Sequence, residues 1–206
     1  MRAGLILPPL YAAISVIPAS AAPRAVEVQK NIFLVNDDGI RTQITSAGTD
    51  LQPDLALDGT KVVFVRKINQ VEDEIYLADV REPHSPRSLL KSPVTINGRK
   101  FSGIFTPKFS PDGASVYFLV SPFSDGTNAI IRVSINSPGS RFIATALSFS
   151  FVKKGPYRGD LVANVRKPTL GYGYYDCFWV LSPEGKEIGV VGSDQRAVDF
   201  FLDLQE

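Results

Sequence analysis

The feature that most restricts the fold of this chain is a segment that occurs twice. Residues 53–64, Pro-Asp-Leu-Ala-Leu-Asp-Gly-Thr-Lys-Val-Val-Phe, align without gaps on residues 107–118, Pro-Lys-Phe-Ser-Pro-Asp-Gly-Ala-Ser-Val-Tyr-Phe. Each copy is followed by a second strand-like stretch, Glu74-Ile75-Tyr76-Leu77 after the first and Ala129-Ile130-Ile131-Arg132 after the second. A weaker third copy starts at Gly159-Asp160-Leu161-Val162-Ala163 and leads to Phe178-Trp179-Val180-Leu181. A unit that recurs at such a period cannot bury its own faces and must stack on its neighbours.

The unit is β. Runs such as Lys61-Val62-Val63-Phe64-Val65 and Ser115-Val116-Tyr117-Phe118-Leu119-Val120 are β-branched and aromatic, and Gly, Pro, Asn or Asp clusters bound them. No sustained apolar stripe at period 3.6 is read outside the N-terminus, so an all-β domain is expected. In Ser110-Pro111-Asp112-Gly113 the proline presets φ, the aspartate bonds back to the main chain, and the glycine takes the positive φ of a tight turn. Asp37, Asp38, Asp58 and Asp112 are therefore read as turn formers, since none sits among the alternating oxygen donors of a calcium loop.

Residues 5–17 form an apolar run behind Arg2, followed by Ala19-Ser20-Ala21. That pattern reads as a secretory signal peptide over residues 1–22, leaving 23–206 as one domain. The whole chain has 22 Lys and Arg against 21 Asp and Glu, and loss of Arg2 makes the remainder formally neutral. Neutrality argues against nucleic acid as a partner, and no second apolar run is long enough for membrane insertion. With one Cys and one His, His/Cys zinc sets cannot be assembled, and neither a metal nor another cofactor is expected. Cys177 reads as a small buried apolar residue, with an intermolecular disulfide as the alternative.

Phe109-Ser110-Pro111-Asp112-Gly113 followed by Val116-Tyr117-Phe118, with a strand of the Ile75-Tyr76-Leu77 type, resembles the β-propeller repeat of TolB-like periplasmic proteins. The resemblance spreads over most of residues 31–192. It implies a small propeller in the periplasm or secreted, with partners in the cell envelope. Residues 23–206 divide into four blades of about 46 residues, within the usual range for propeller repeats. Three blades come from the repeats, and the fourth is expected from both termini. In that arrangement residues 197–204 form the inner strand and residues 31–36 and 41–45 lie outside it, which closes the ring and removes open edges. The alternative is an open propeller that pairs with a second copy, so monomer and homodimer both stand.

With the strands numbered outward from the channel, short stereotyped turns fall on one face and long varied loops on the other, and long loops on a rigid scaffold are where binding concentrates. On the long-loop face, Gly171-Tyr172-Gly173-Tyr174-Tyr175 presents three tyrosines on glycine hinges, a composition shared with binding surfaces. The tyrosines packing on Phe178 and Trp179 is the competing reading. Arg99 and Lys100 are expected near the channel mouth, with Asp194 and Arg196 on the opposite lip. The leading expectation is a non-catalytic module that binds an envelope protein or polymer. A small ligand or glycan in the central channel, against Phe149 and Phe151, is the alternative. A hydrolase is a third, but the adjacent His84 and Ser85 tend to point apart and offer no nucleophile-and-base pair.

The exported protein should begin at Ala22 or Pro23. N-terminal sequencing of periplasmic material checks this, and an intact Met1 would overturn the leader reading.

Overall fold

A computed structural model describes residues 22–205 apart from 97, 102, 122–125 and 138, so residues 1–21, on which the expected signal peptide falls, lie outside the described residues. The described residues are all-β except for one terminal helix. The first sheet holds β1 (Arg24–Val28), β2 (Asn31–Val35) and β3 (Arg41–Gln43). The second holds β4 (Asp50–Leu55), β5 (Lys61–Lys67), β6 (Asp73–Asp79) and β7 (Arg87–Lys91). A hairpin of β8 (Val94–Ile96) and β9 (Arg99–Phe101) leads to the third sheet, made of β10 (Ile104–Phe109), β11 (Ser115–Val120), β12 (Asn128–Ser134) and β13 (Ser140–Ala146). The fourth holds β14 (Ser148–Phe151), β15 (Leu161–Pro168), β16 (Tyr174–Leu181) and β17 (Glu187–Gly192), and α1 (Gln195–Asp203) ends the chain. Every paired strand is antiparallel to its neighbour, in simple sequence order.

The strands β5 and β11 are apolar throughout because both of their faces are covered. Val62 and Phe64 pack on Ile32, Leu34 and Ile44 of the first sheet and its following loop. Val63 and Val65, on the opposite face, meet Ile104, Phe109, Val116 and Phe118 of the third. Tyr117, Leu119 and Ile130 of the third sheet in turn pack on Phe149, Phe151, Leu161 and Ala163 of the fourth. Each fully buried side chain of this size contributes about 2 kcal/mol. Consecutive sheets are thus stacked face to face, as propeller blades are.

Polar groups brace the second sheet and fix how it meets the third. The buried Asp50 carboxylate receives the Arg66 guanidinium through two bonds of 2.6 and 2.8 Å, and that guanidinium lies 4.3 Å from the Tyr76 ring centre. Asp73 accepts the Ile104 N–H at 3.1 Å, and Asp54 accepts the Phe109 N–H at 2.9 Å. The Gln52 side chain accepts the Thr106 N–H at 2.7 Å. Gln52 and Thr106 occupy the same place in the repeat: both have φ of +52°, both precede a proline, and both interrupt the register with the next strand. The repeated turns behave as their sequence dictates, with Asp58 and Asp112 accepting from the N–H groups of Thr60 and Ala114.

Two expectations are corrected at the chain ends. Residues 197–204 are not an inner strand: residues 195–203 are helical, with the Asp194 carboxylate capping the Ala197 N–H at 3.0 Å. Val198, Phe201 and Leu202 then fall on one helical face and cover Val152, Val162, Phe178 and Val191 on the outer face of the fourth sheet. The helix and β17 meet so closely that a Cβ on Gly192 would lie 2.4 Å from the Ala197 Cβ.

At the other end, β2 and β3 match the expected outer pair, but β1 was not expected. The Asp50 N–H donates to Lys30 O at 2.9 Å and the Gln52 N–H to the Glu27 carboxylate at 3.2 Å, so the end of β1 lies at the start of β4. The strand β1 therefore runs opposite to the innermost strand of the second sheet, and β1, β2 and β3 correspond to the second, third and fourth strands of a complete sheet. The innermost position has no occupant among the described residues, and no strand from the C-terminus closes the ring.

Asp194→Ala should cost about 1 kcal/mol of stability, the usual worth of such a cap. A drop in the urea midpoint at unchanged slope checks this, and an unchanged midpoint would return Asp194 to the surface residues available for binding.

Candidate functional site

The fourth sheet contains the most prominent exposed feature. Its two central strands are longer than their neighbours: β14 pairs with β15 over residues 161–164, and β17 pairs with β16 over residues 178–181. Beyond these limits Val165 to Pro168 pair only with Tyr174 to Cys177, as a two-stranded ribbon about 13 Å long by the rise of a strand. Leu170 and Tyr172 at its tip are fully exposed, and Tyr174 and Tyr175 are 61% and 47% exposed. The tyrosines do not pack on Phe178 and Trp179 to become core. Four large apolar side chains on one projecting ribbon make a contact surface rather than scattered exposure.

Charged pairs hold the ribbon in shape. Arg166 and Asp176 sit directly opposite each other and make two bonds, at 2.8 and 2.9 Å. Lys167 pairs with Glu187 and lies 5.0 Å from the centre of the Trp179 ring. The Arg166 guanidinium holds the Asp176 carboxyl below the ordinary carboxylate range. The Cys177 Sγ, half-buried at the root, lies 3.1 Å from the Gly192 carbonyl oxygen it donates to.

The other expected site residues are placed as follows. Asp194 and Arg196 lie near the root of the ribbon, because Gly192 pairs with Phe178 immediately before α1. Asp194 is committed to the helix cap, and Arg196 is exposed on the first turn. Arg99 and Lys100 lie on the β8–β9 hairpin, whose Val94 and Phe101 are buried between the second and third sheets. Phe149 and Phe151 are buried between the third and fourth sheets, where Phe151 meets Tyr117 edge-on at 4.9 Å, and Phe151 also lines a cavity with Asp54 and Leu55 of β4 and Lys108 and Phe109 of β10. His84 and Ser85 are exposed in the β6–β7 connection with no hydrogen bond between them, and no His, Cys, Asp and Glu cluster suited to a metal occurs among the described residues.

Sequence reasoning missed a polar cleft of about 510 Å³ at the short-turn end of the seam between the third and fourth sheets. Asp112, Arg132, Arg158 and Glu184 line it, and at its base the Tyr117 hydroxyl donates to Pro183 O at 3.0 Å. Burial pushes that hydroxyl above its ordinary range. The turn above it is fitted by Gly185, where a Cβ would fall 2.1 Å from the Ile143 carbonyl oxygen. The cleft joins residues far apart in the chain, so no local pattern marks it.

No protein-family model matches this sequence, and no curated protein does. Solved structures match in fold. TolB from Acinetobacter baumannii superposes with a TM-score of 0.55 at 16% identity, over 82% of this chain and 40% of its own. The β-propeller domain of the trilobed protease from Pyrococcus furiosus, described as having an open velcro topology, gives 0.52 at 17% identity, over 77% and 48%. Porphyromonas gingivalis dipeptidyl peptidase 4 gives 0.56 at 12% identity, over 82% and 31%. This chain spans less than half the length of each of these chains. Its sheets have the propeller fold that the repeat implied, and the TolB-like resemblance holds at that level. No described helix is long and apolar enough to cross a membrane.

A pH test follows from the ribbon. Asp176 is depressed, so its pair with Arg166 is present at neutral pH and is lost only as the pH falls below 3.8, through the folded value. Both side chains are partly exposed, so Asp176→Asn should change global stability by less than about 1 kcal/mol. Tyr174 and Tyr175 resonances should shift below pH 3.8 in the wild type, and the variant should show the acid-state shifts already at pH 7. Pattern-free tyrosine shifts in both proteins would show that the pair does not order the ribbon.

Proposed function

We propose that this chain is a non-catalytic, protein-binding module of the bacterial cell envelope, exported to the periplasm, and that the tyrosine ribbon is its contact surface. The supporting observation is the projection of Leu170, Tyr172, Tyr174 and Tyr175 from a ribbon whose base is part of a four-stranded sheet. A tyrosine brings large contact area and a polar tip at the entropic cost of two torsions, and a salt-bridged ribbon has surrendered main-chain freedom before any partner arrives. The ribbon therefore suits a protein groove better than a small solute. Likeness to TolB adds an expectation of protein partners, and the leader pattern adds the compartment. The likeness to dipeptidyl peptidase 4 extends over 31% of that chain.

A small-ligand reading has one specific support, the cleft between the third and fourth sheets. Arg132 and Arg158 face Asp112 and Glu184 there, a lining suited to a polar solute with both donors and acceptors.

The test compares envelope proteins retained by the wild type and by a Tyr172→Ala, Tyr174→Ala, Tyr175→Ala variant. These side chains are exposed, so the variant should keep its circular dichroism and urea midpoint. Loss of interface tyrosines costs about 2 kcal/mol each where they act as anchors, so at least a thirtyfold loss of the retained partner is expected. Retention of every partner at wild-type strength would show the ribbon to be a bystander. Retention of glycan fragments, abolished by Arg132→Ala, would favour the cleft.

A further inference from the structure

Among the described residues the first sheet has three strands where its neighbours have four, and β1 forms its edge on the innermost side. The direction of the main-chain groups on that edge follows from the turn before β2. Gln29 and Lys30 both have left-handed φ, +51° and +57°, and form a two-residue hairpin loop. In such a loop the flanking pair, Val28 and Asn31, exchanges both ladder bonds. Alternation makes Val26–Phe33 and Arg24–Val35 bonded pairs as well, and leaves Ala25–Leu34 and Glu27–Ile32 as non-bonded pairs. Ile32 agrees: its N–H donates to the Thr45 hydroxyl at 3.0 Å and its carbonyl accepts the Ile44 N–H at 2.8 Å, both away from β1. The N–H and C=O groups of Ala25 and Glu27 consequently point out of the open edge.

The inner edges of the next two sheets are blunted. Both β4 and β10 carry the bulge at Gln52 and Thr106, and Pro53 and Pro107 each remove a donor. Within Arg24–Val28 there is neither proline nor bulge, and the register with β2 is unbroken. An edge of this kind is a template for another strand.

Beside the edge lies a groove of about 430 Å³, lined by Arg24 and Ala25 of the first sheet, Leu55 of the second, Leu57 just beyond it, Lys108 of the third and Lys153 just after β14. The one carboxylate lining it, Asp54, is engaged by Lys108 at 3.1 Å. Arg24 and Lys153 are both exposed and make no ion pair among the described residues. The groove therefore presents an apolar floor, two uncompensated cations and a row of outward main-chain groups.

We propose that the β1 edge accepts an extended, acidic segment of another polypeptide as the fourth strand of the first sheet. The segment runs antiparallel to β1, as every other strand pair here does. It bonds the main chain of Ala25 and Glu27 and sets carboxylates against Arg24 and Lys153. Main-chain bonding supplies affinity in such strand addition, and the cations select the sequence. The site is separate from the tyrosine ribbon and stands or falls independently of it.

Periplasmic protein of verified N-terminus is titrated with a capped heptapeptide that alternates valine with glutamate and aspartate. Amide exchange is followed residue by residue. The expected result is saturable binding at submillimolar concentration, with the Ala25 and Glu27 amides slowed at least tenfold. The same peptide with lysine in place of its acids should bind at least tenfold more weakly. Ala25→Pro removes an outward N–H without touching a ladder bond, and Lys153→Glu alters an exposed side chain. Each should weaken binding at least tenfold at an unchanged urea midpoint. Equal affinity for the acidic and basic peptides, no binding, or binding without protection of the two amides would overturn the proposal. So would a chain retaining residues 1–21 that protects these amides unaided, or protection that grows with protein concentration alone, which would give the edge to the chain's own leader or to a second copy.

Discussion

A sheet that is apolar on both faces needs a neighbour on each side, and the rest of this structure follows from that requirement. Val62 and Phe64 face one way from β5 and Val63 and Val65 the other, all of them buried. The same holds for Tyr117 and Leu119 against Val116 and Phe118 on β11. Such sheets can only be stacked, and a stack has two ends. A closed ring removes both ends at once. This chain treats its ends separately, with a helix over the fourth sheet and a three-stranded sheet at the beginning.

Hydrophobic contact alone would let the sheets slide over one another, since it is non-directional. The side chains of Gln52, Asp54 and Asp73 prevent this by each taking a main-chain N–H from the following sheet. Two of the three emerge from the interrupted stretch of β4. The proline that follows Gln52 and the positive φ there turn a strand irregularity into a locating pin. The same irregularity recurs at Thr106, whose N–H is the one that Gln52 engages.

The repeat, the strands it comprises and the tyrosine surface were legible because each leaves a local mark: unbroken β-branched runs, Asp-Gly turns, and aromatics set among glycines. The first strand was not legible, because its hairpin turns on Gln29-Lys30 in a conformation that normally selects Asn and Gly, and no turn residue announces it. The terminal helix was misread for a different reason. Val198, Phe200, Leu202 and Leu204 alternate as a strand would, while Val198, Phe201 and Leu202 mark one face of a helix. Asp194 decides between them by capping Ala197, and it had been assigned to a binding lip. The gathering of Arg132, Arg158 and Glu184 into one cleft was beyond reach from sequence, since their meeting depends on how the third sheet lies against the fourth.

The position of α1 also bears on what many copies of this molecule do together. A first sheet of one molecule laid on the last sheet of another would be a head-to-tail contact, and such contacts propagate without limit unless their rotation closes. Val152, Val162, Phe178 and Val191 would form the receiving surface, and Val198, Phe201 and Leu202 of the same chain already sit on it. The helix thus occupies the surface on which a further copy would have to be laid.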